Sequence, residues 1–224
     1  GWAVTVYCQA DNTKELYEEY WNGIRLIQVP SSDFGAMASV AFDWKAAVHA
    51  ARESKLVLTL GYNTAIFGLL YRLRNVTNLI NMDGLEWRRQ KWKLPEKVWL
   101  YLNERMGCWL GNHLIADHPA IKTHLSSRVS GQKITVIPYC EDPVEVADVS
   151  LLKAYDLKPN SYALIIARPE PENHILEIVS AFSSKPRGYK LVVLGNYRPK
   201  KFDYHRQVVE AASNEVAFLG GIYD

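Results

Sequence analysis

Short apolar runs alternating with longer amphipathic ones constrain this chain more than any single motif. Residues 3–7, 24–29, 55–60, 76–81, 113–116 and 133–137 are leucine-rich, β-branched or aromatic runs bounded by polar turn residues, which reads as strands. Residues 35–52, 65–73, 96–110 and 120–128 repeat apolar side chains at spacings of three and four, which predicts helices. A helix is the natural crossover between parallel strands, and strands that are apolar nearly throughout predict a sheet covered on both faces. The expectation is an α/β, doubly wound fold. An acidic, tyrosine-rich stretch between the first two strands is assigned no element.

After Pro138 the chain turns acidic and loses both periodicities, and beyond Pro159 and Asn160 a second series begins. It has strands at 162–167, 190–194 and 215–219 and helices at 172–183 and near 204–212. A junction here divides the chain into domains 1–140 and 141–224. Two or three strands cannot close a parallel sheet with both edges protected, so the second domain is expected to be incomplete. Gly1, followed at once by a strand-like run, points to a start codon upstream.

Composition removes several function classes. With 48% apolar and 22% charged residues in 224, the chain is an ordinary globular protein. A net charge of +2 is too even for coating nucleic acid, so an anionic partner must be met by local groups. Cys8, Cys108 and Cys140 form no C-x-x-C pair, which argues against a disulfide framework or thiolate metal site and fits a reducing compartment. Without a membrane-length apolar run or an export signal, the expected location is cytoplasmic. The absence of G-x-G-x-x-G, P-loop, G-x-S-x-G and H-E-x-x-H motifs weakens simple dehydrogenase, P-loop and hydrolase readings. His113, His118 and His124 do not share a helical face and no D-x-D pair occurs, so metal-free chemistry is expected.

Ligands of open α/β sheets bind beyond the carboxyl ends of the strands, which directs attention to five loops. Gly61 and Asn63 could contact a phosphate through free N–H groups, or form a turn that caps the next helix. Residues 82–89 gather Asp83, Gly84, Glu86, Arg88 and Arg89. Asp83 could bind a hydroxyl or accept its proton, and an arginine could grip a phosphate, the alternative being an Arg–Glu salt bridge in a solvated loop. Asp117 is a candidate helix N-cap, and His118 either an acid–base group or a structural hydrogen-bonder. In residues 167–174 Arg168 could face a diphosphate near a helix N-terminus, with a salt-bridged turn as the competitor. Gly195 and Tyr197 end the next strand in a form open to a nucleotide. Separately, Trp87, Trp92 and Trp99 interleave with Arg88, Arg89, Lys91, Lys93 and Lys97, which reads either as a surface for anionic lipid or as a solvated basic face.

The segments NLINMDGLEWRRQKW, HLIADHPAI, KITVIPYCED and ALIIARPEPENHILEIVSAF resemble the rhamnosyltransferase-type group of family 4 glycosyltransferases. The resemblance runs from GWAVTVYC to about FLGG, with DGLEWRR its most specific part. It implies a GT-B architecture, two Rossmann-like domains with the acceptor mainly on the first and the nucleotide-sugar mainly on the second. It further implies retaining transfer of rhamnose from a nucleotide-diphosphate donor to a glycan or lipid-linked acceptor in surface polysaccharide assembly, without metal or other cofactor; peripheral membrane contact is expected from the tryptophan and cation stretch at 87–99 alone. Carried over by residue, Asp83, Gly84 and Glu86 lie at the reacting sugar, with Arg88 and Arg89 as flanking contacts. Arg168, Glu172 and Asn173 match the donor loop, and from their strand-end positions Gly61, Asn63, Asp117 and His118 are expected as acceptor or phosphate contacts and Gly195 and Tyr197 as donor contacts. Asn173 stands where many relatives carry lysine, leaving Arg168 to meet the phosphate. The family's opening strand with its glycine-rich loop, and its glutamate-bearing segment after FLGG, have no counterpart, so a fragment inactive by itself is expected. The competing readings are a non-catalytic nucleotide or sugar-binding module and a sugar-nucleotide epimerase.

Overall fold

The computed structural model describes residues 1–10, 13, 15–31, 35–140, 143 and 145–222, so part of the acidic junction expected at 139–148 lies outside the described residues. The chain forms two compact units, Gly1–Glu141 and Asp142–Asp224.

The first unit holds two sheets. Strands β1 (Thr5–Ala10) and β3 (Ile24–Pro30) pair in parallel, and β2 (Tyr17–Trp21) adds to β3 antiparallel. The stretch assigned no element in the sequence is this edge strand. Its five residues are all exposed, and it is held by Arg25 bridging Glu18 and by Gln28 donating to Glu19. The second sheet is parallel throughout, in the order β4 (Leu56–Leu60), β5 (Thr77–Asn81), β6 (His113–Ala116), β7 (Ile134–Val136).

Helix α1 (Ala36–Glu53) links the sheets, and its alanines explain how closely it packs. Ala47, Ala50 and Ala51 are buried with Tyr71 and Val76, and both Tyr7 of β1 and Val57 of β4 pack against that cluster. The expectation of strands buried on both faces fails at β4. Val57 and Thr59 turn toward the helices, while Leu56, Leu58 and Leu60 are 42, 55 and 77% exposed. The helix expected at 65–73 begins as a 3-10 turn, Ala65–Phe67, and continues as α2 (Gly68–Leu73). Helices α3 (Leu94–Leu110) and α4 (Pro119–Ser126) complete the unit, whose main core joins Tyr62, Ile80, Met82, Cys108, Leu114 and Leu125. Burial pushes the Cys108 thiol up to about 11, which leaves it inert at neutral pH.

In the second unit a 3-10 stretch, Val149–Tyr155, leads to β8 (Tyr162–Ile166), α5 (Ile175–Ser183), β9 (Lys190–Leu194), α6 (Asp203–Glu210) and β10 (Val216–Gly220). The strands form a parallel sheet in the order β10-β9-β8. Ile175, Val179, Leu191, Val193 and Val208 form its core.

The loops after β8 and β9 touch, and glycine is what permits it. Gly195 has φ +142°, and an added Cβ would stand 3.0 Å from the Ala167 carbonyl oxygen and 3.2 Å from the Tyr197 ring. Gly195→Ala should therefore destabilise the second unit by about 1–3 kcal/mol, read as an earlier urea transition for that unit.

Candidate functional site

At the carboxyl end of the four-stranded sheet the strand-end loops are stitched together by backbone and amide hydrogen bonds. Gly61 N–H donates to the Asn81 carbonyl (2.9 Å), Met82 N–H to that of Ile115 (2.8 Å) and Ile137 N–H to that of Ala116 (2.9 Å). Asn81, buried at the end of β5, organises the turn that follows. Its Oδ1 accepts the Asp83 N–H at 3.0 Å and its Nδ2 donates to the Tyr139 hydroxyl at 3.2 Å. An Asx turn of this kind suits the left-handed backbone of Asp83, φ +46°, and leaves that residue exposed.

Glu86 is bound within its own loop. Arg89 Nη1 donates to Oε1 at 2.8 Å, Trp92 Nε1 to Oε2 at 3.1 Å, and Lys91 lies 3.8 Å away. Partial burial alone would raise the Glu86 carboxyl, but these donors and the charges of Arg89 and Lys91 outweigh it and hold it below the usual carboxylate range. Its backbone N–H donates at 2.8 Å to the hydroxyl of buried Tyr62, a phenol pushed well above its ordinary pKa by burial. Arg88 remains exposed, with its guanidinium 5.0 Å from the centre of the Trp87 ring.

Trp87 anchors the loop to the core. Its Nε1 donates at 2.8 Å to Glu104, a fully buried carboxylate on α3. Glu104 also meets Arg128 Nε at 2.9 Å and His124 Nε2 at 3.1 Å. Neighbouring Asn103 accepts the Ile66 N–H at 3.0 Å, and Trp99 Nε1 donates to the Asn63 carbonyl at 2.8 Å, so α3 holds both the 61–67 and 82–89 segments. The side chain that caps α4 is His118, whose Nδ1 accepts the Ala120 N–H at 3.1 Å; this corrects the expected cap, Asp117. Asp117 Oδ1 is buried and has no hydrogen-bond partner among the described residues.

His113, His118 and His124 serve separate partners, since His113 opens β6 and contacts Thr135, His124 contacts Glu104 and His118 caps α4. Among the described residues no group of three or more His, Cys, Asp or Glu is placed to hold a metal ion.

In the second unit Arg168 is exposed just after β8, and its carbonyl accepts both the Glu170 N–H and the Asn173 side-chain amide, each at 2.7 Å. That closes the loop into a 3-10 turn, Pro171–Asn173, ahead of α5, with Glu172 on its exposed side. Gly195 lies against this loop. The Tyr197 ring packs into the core on Phe218, 5.0 Å between centres, and burial pushes its phenol up to about 12. A separate concavity lined by Asp148, Lys153, Asp156 and Pro159 lies toward the opposite end of this sheet, where Lys190 opens β9 and binds Asp156.

Residues 3–142 match a family described as a domain of unknown function, DUF1972. The chain belongs to this family. No curated protein matches it in sequence. In structure, the chain is similar to HepE of Anabaena in complex with UDP-glucose, with TM-score 0.66 and 17% identity over 90% of this chain and 57% of that one. It is similar also to the UDP-N-acetylglucosamine 2-epimerase from Rickettsia bellii, with TM-score 0.53 and 14% identity over 84% of this chain and 52% of that one. The lipopolysaccharide outer core galactosyltransferase WaaB gives TM-score 0.51 and 13% identity over 90% of this chain and 54% of that one. The likeness is one of fold, the α/β, Rossmann-like architecture of GT-B proteins, and the chain spans just over half the length of each of these structures.

In the DUF1972 segment the structure therefore brings Gly61, Asn63, Asp83, Gly84, Glu86, Asp117 and His118 to one sheet end, with Arg88 and Arg89 on the flanking loop. It adds Tyr62, Asn81, Glu104 and Tyr139, which sequence inspection missed. Of these only Asn81 and Tyr62 carried a local signal, a polar or aromatic residue at the edge of an apolar strand.

Two measurements check this site. Because the folded Glu86 carboxyl is depressed, the stability it contributes is present above its unfolded pKa, about 4.3, and is lost as pH falls through the folded value. Glu86→Gln should flatten the acid limb of a stability–pH profile without altering the neutral plateau's slope. Glu104→Ala, which strands Arg128, should cost about 3–5 kcal/mol in urea unfolding.

Proposed function

We propose that this protein is the acceptor-side domain and part of the donor-side domain of a retaining, metal-independent GT-B glycosyltransferase. In this reading the first unit binds a glycan or lipid-linked acceptor and the second a nucleotide-diphosphate sugar, rhamnose linked to deoxythymidine diphosphate being the donor. The observation that carries the reading is that two carboxylates, Asp83 and Asp117, directly follow the adjacent parallel strands β5 and β6, with Asp83 exposed on its turn. Carboxylates at the carboxyl end of a parallel sheet are suited to orient a hydroxyl.

The chemistry asked of the chain is modest. The acceptor oxygen forms its bond to the anomeric carbon as the carbon–oxygen bond to the diphosphate breaks, and the acceptor proton passes to the departing phosphate on the same face. On the first unit Asp83 and Asp117 orient the acceptor hydroxyl and Arg88 steadies the acceptor; on the second, Arg168 binds the donor's diphosphate. Glu86, committed to Arg89 and Trp92, acts as a positioning group for the loop in this scheme. No protein nucleophile is required.

Similarity to the UDP-N-acetylglucosamine 2-epimerase from Rickettsia bellii supports a second reading, a sugar-nucleotide epimerase on the same fold. Assays of a protein carrying the complete donor-side domain, with and without a glycan acceptor, separate the two. Transfer should depend on acceptor, Asp117→Asn and Asp83→Ala should each lower kcat by about 100-fold, and Arg168→Ala should raise the donor KM. Acceptor-free conversion of a nucleotide-sugar into its epimer would instead favour the second reading.

A further inference from the structure

We propose that the outward face of α3 docks on an anionic lipid surface. An ordinary surface helix hides its apolar stripe and shows its charges, whereas α3 buries Leu100 and Cys108 together with Asn103 and Glu104 and shows a second apolar stripe outward. Asn103 and Glu104 point inward, 2 and 0% exposed, while Leu94, Val98, Leu102 and Trp109 are 75, 50, 54 and 60% exposed. At about 100° per residue these four fall within a sector of roughly 80°, and only Arg105 among the helix's charged residues shares it. Trp99, 40% exposed, extends the stripe, its indole N–H already used by the Asn63 carbonyl. An apolar stripe of this length on a helix is a binding surface in waiting.

The charge around the stripe says what covers it. Lys91 and Lys93 are exposed just before the helix, Lys97 flanks the stripe on α3 itself, and Arg105 lies within it, stacked on the Tyr101 ring. The nearby carboxylates are engaged elsewhere or turned away. Glu104 is buried against Arg128, Glu86 is held by Arg89 and Trp92, and Glu96 is half-buried with one oxygen enclosed. The result is an apolar strip with tryptophans, bordered by cations, which is the pattern of a helix lying in the plane of an anionic bilayer. Two copies of this face would set cation against cation, which disfavours self-pairing. The surface also differs from the one suggested by residues 87–99 in sequence, because Trp87 and Trp92 give their indole N–H groups to Glu104 and Glu86 and turn inward. The inference does not depend on the sugar-transfer reading.

Co-sedimentation of the 224-residue chain with phosphatidylcholine vesicles, with and without phosphatidylglycerol, tests it. The expected result is binding at least about tenfold tighter to the anionic vesicles at low salt, with a blue shift of tryptophan fluorescence. Val98→Asp combined with Leu102→Asp should abolish it. Lys93→Gln and Lys97→Gln together, which leave the Lys91–Glu86 pair in place, should remove the preference for anionic vesicles while the circular dichroism spectrum is unchanged. Equal binding to both vesicle types, no binding to either, or unchanged anionic binding by the lysine variant would overturn the proposal. A dimer in sedimentation velocity that Val98→Asp with Leu102→Asp dissolves, with no vesicle binding, would assign the face to a second copy instead.

Discussion

The first unit is organised around a carboxylate that water cannot reach. Glu104 is fully buried on α3, and a buried charge persists only if it is paired and hydrogen-bonded. Arg128 and His124 supply cationic and ring nitrogen partners from α4 and its end, and Trp87 supplies an indole N–H from the loop after β5. One side chain thus ties together a helix, the helix beside it and the loop that carries Asp83 and Glu86. The same constraint sets the rotation of α3. With Asn103 and Glu104 required inside, the leucines and tryptophans a half-turn away must face out. The site's geometry and the apolar outer face are two consequences of one burial.

Much of the fold was legible because parallel strands between helices are apolar nearly along their length, as in Leu56–Leu60 and Lys190–Leu194. The failures have physical causes. Strand β2 reads Tyr-Glu-Glu-Tyr-Trp and lies exposed at an edge, so its composition resembles a charged loop; the local signal that joins it to β3 is the two-residue Asn22-Gly23 turn, both at positive φ, across which Arg25 and Gln28 meet its glutamates. The leucines of β4 looked like core because apolar composition does not reveal which face a helix layer covers. At α4, His118, two residues past the strand end, displaces Asp117 as the cap because its own ring nitrogen reaches the Ala120 N–H.

The candidate site was legible as a place and less so as a set of contacts. Strand ends marked Asp83, Asp117 and Arg168. The residues that support them do so across long separations that local patterns do not encode. Asn81 meets Tyr139 across 58 residues and Trp87 meets Glu104 across 17. Tyr62 and Glu104 therefore looked like one aromatic and one charged residue among many, although together they hold the backbone and side chain of the Glu86–Trp87 step.

The two units carry the same kind of device, a strand end closed by a short turn that leaves a charged side chain exposed, Asp83 in one and Arg168 in the other. That the second device receives a nucleotide diphosphate is the central claim. The most direct test is to titrate isotope-labelled protein with deoxythymidine diphosphate and with UDP and follow amide chemical shifts. Saturable shifts gathered at Arg168, Asn173 and Gly195, with the start of α5, are the expected result. Shifts confined to residues 148–159, or no saturable shift with either nucleotide, would contradict it.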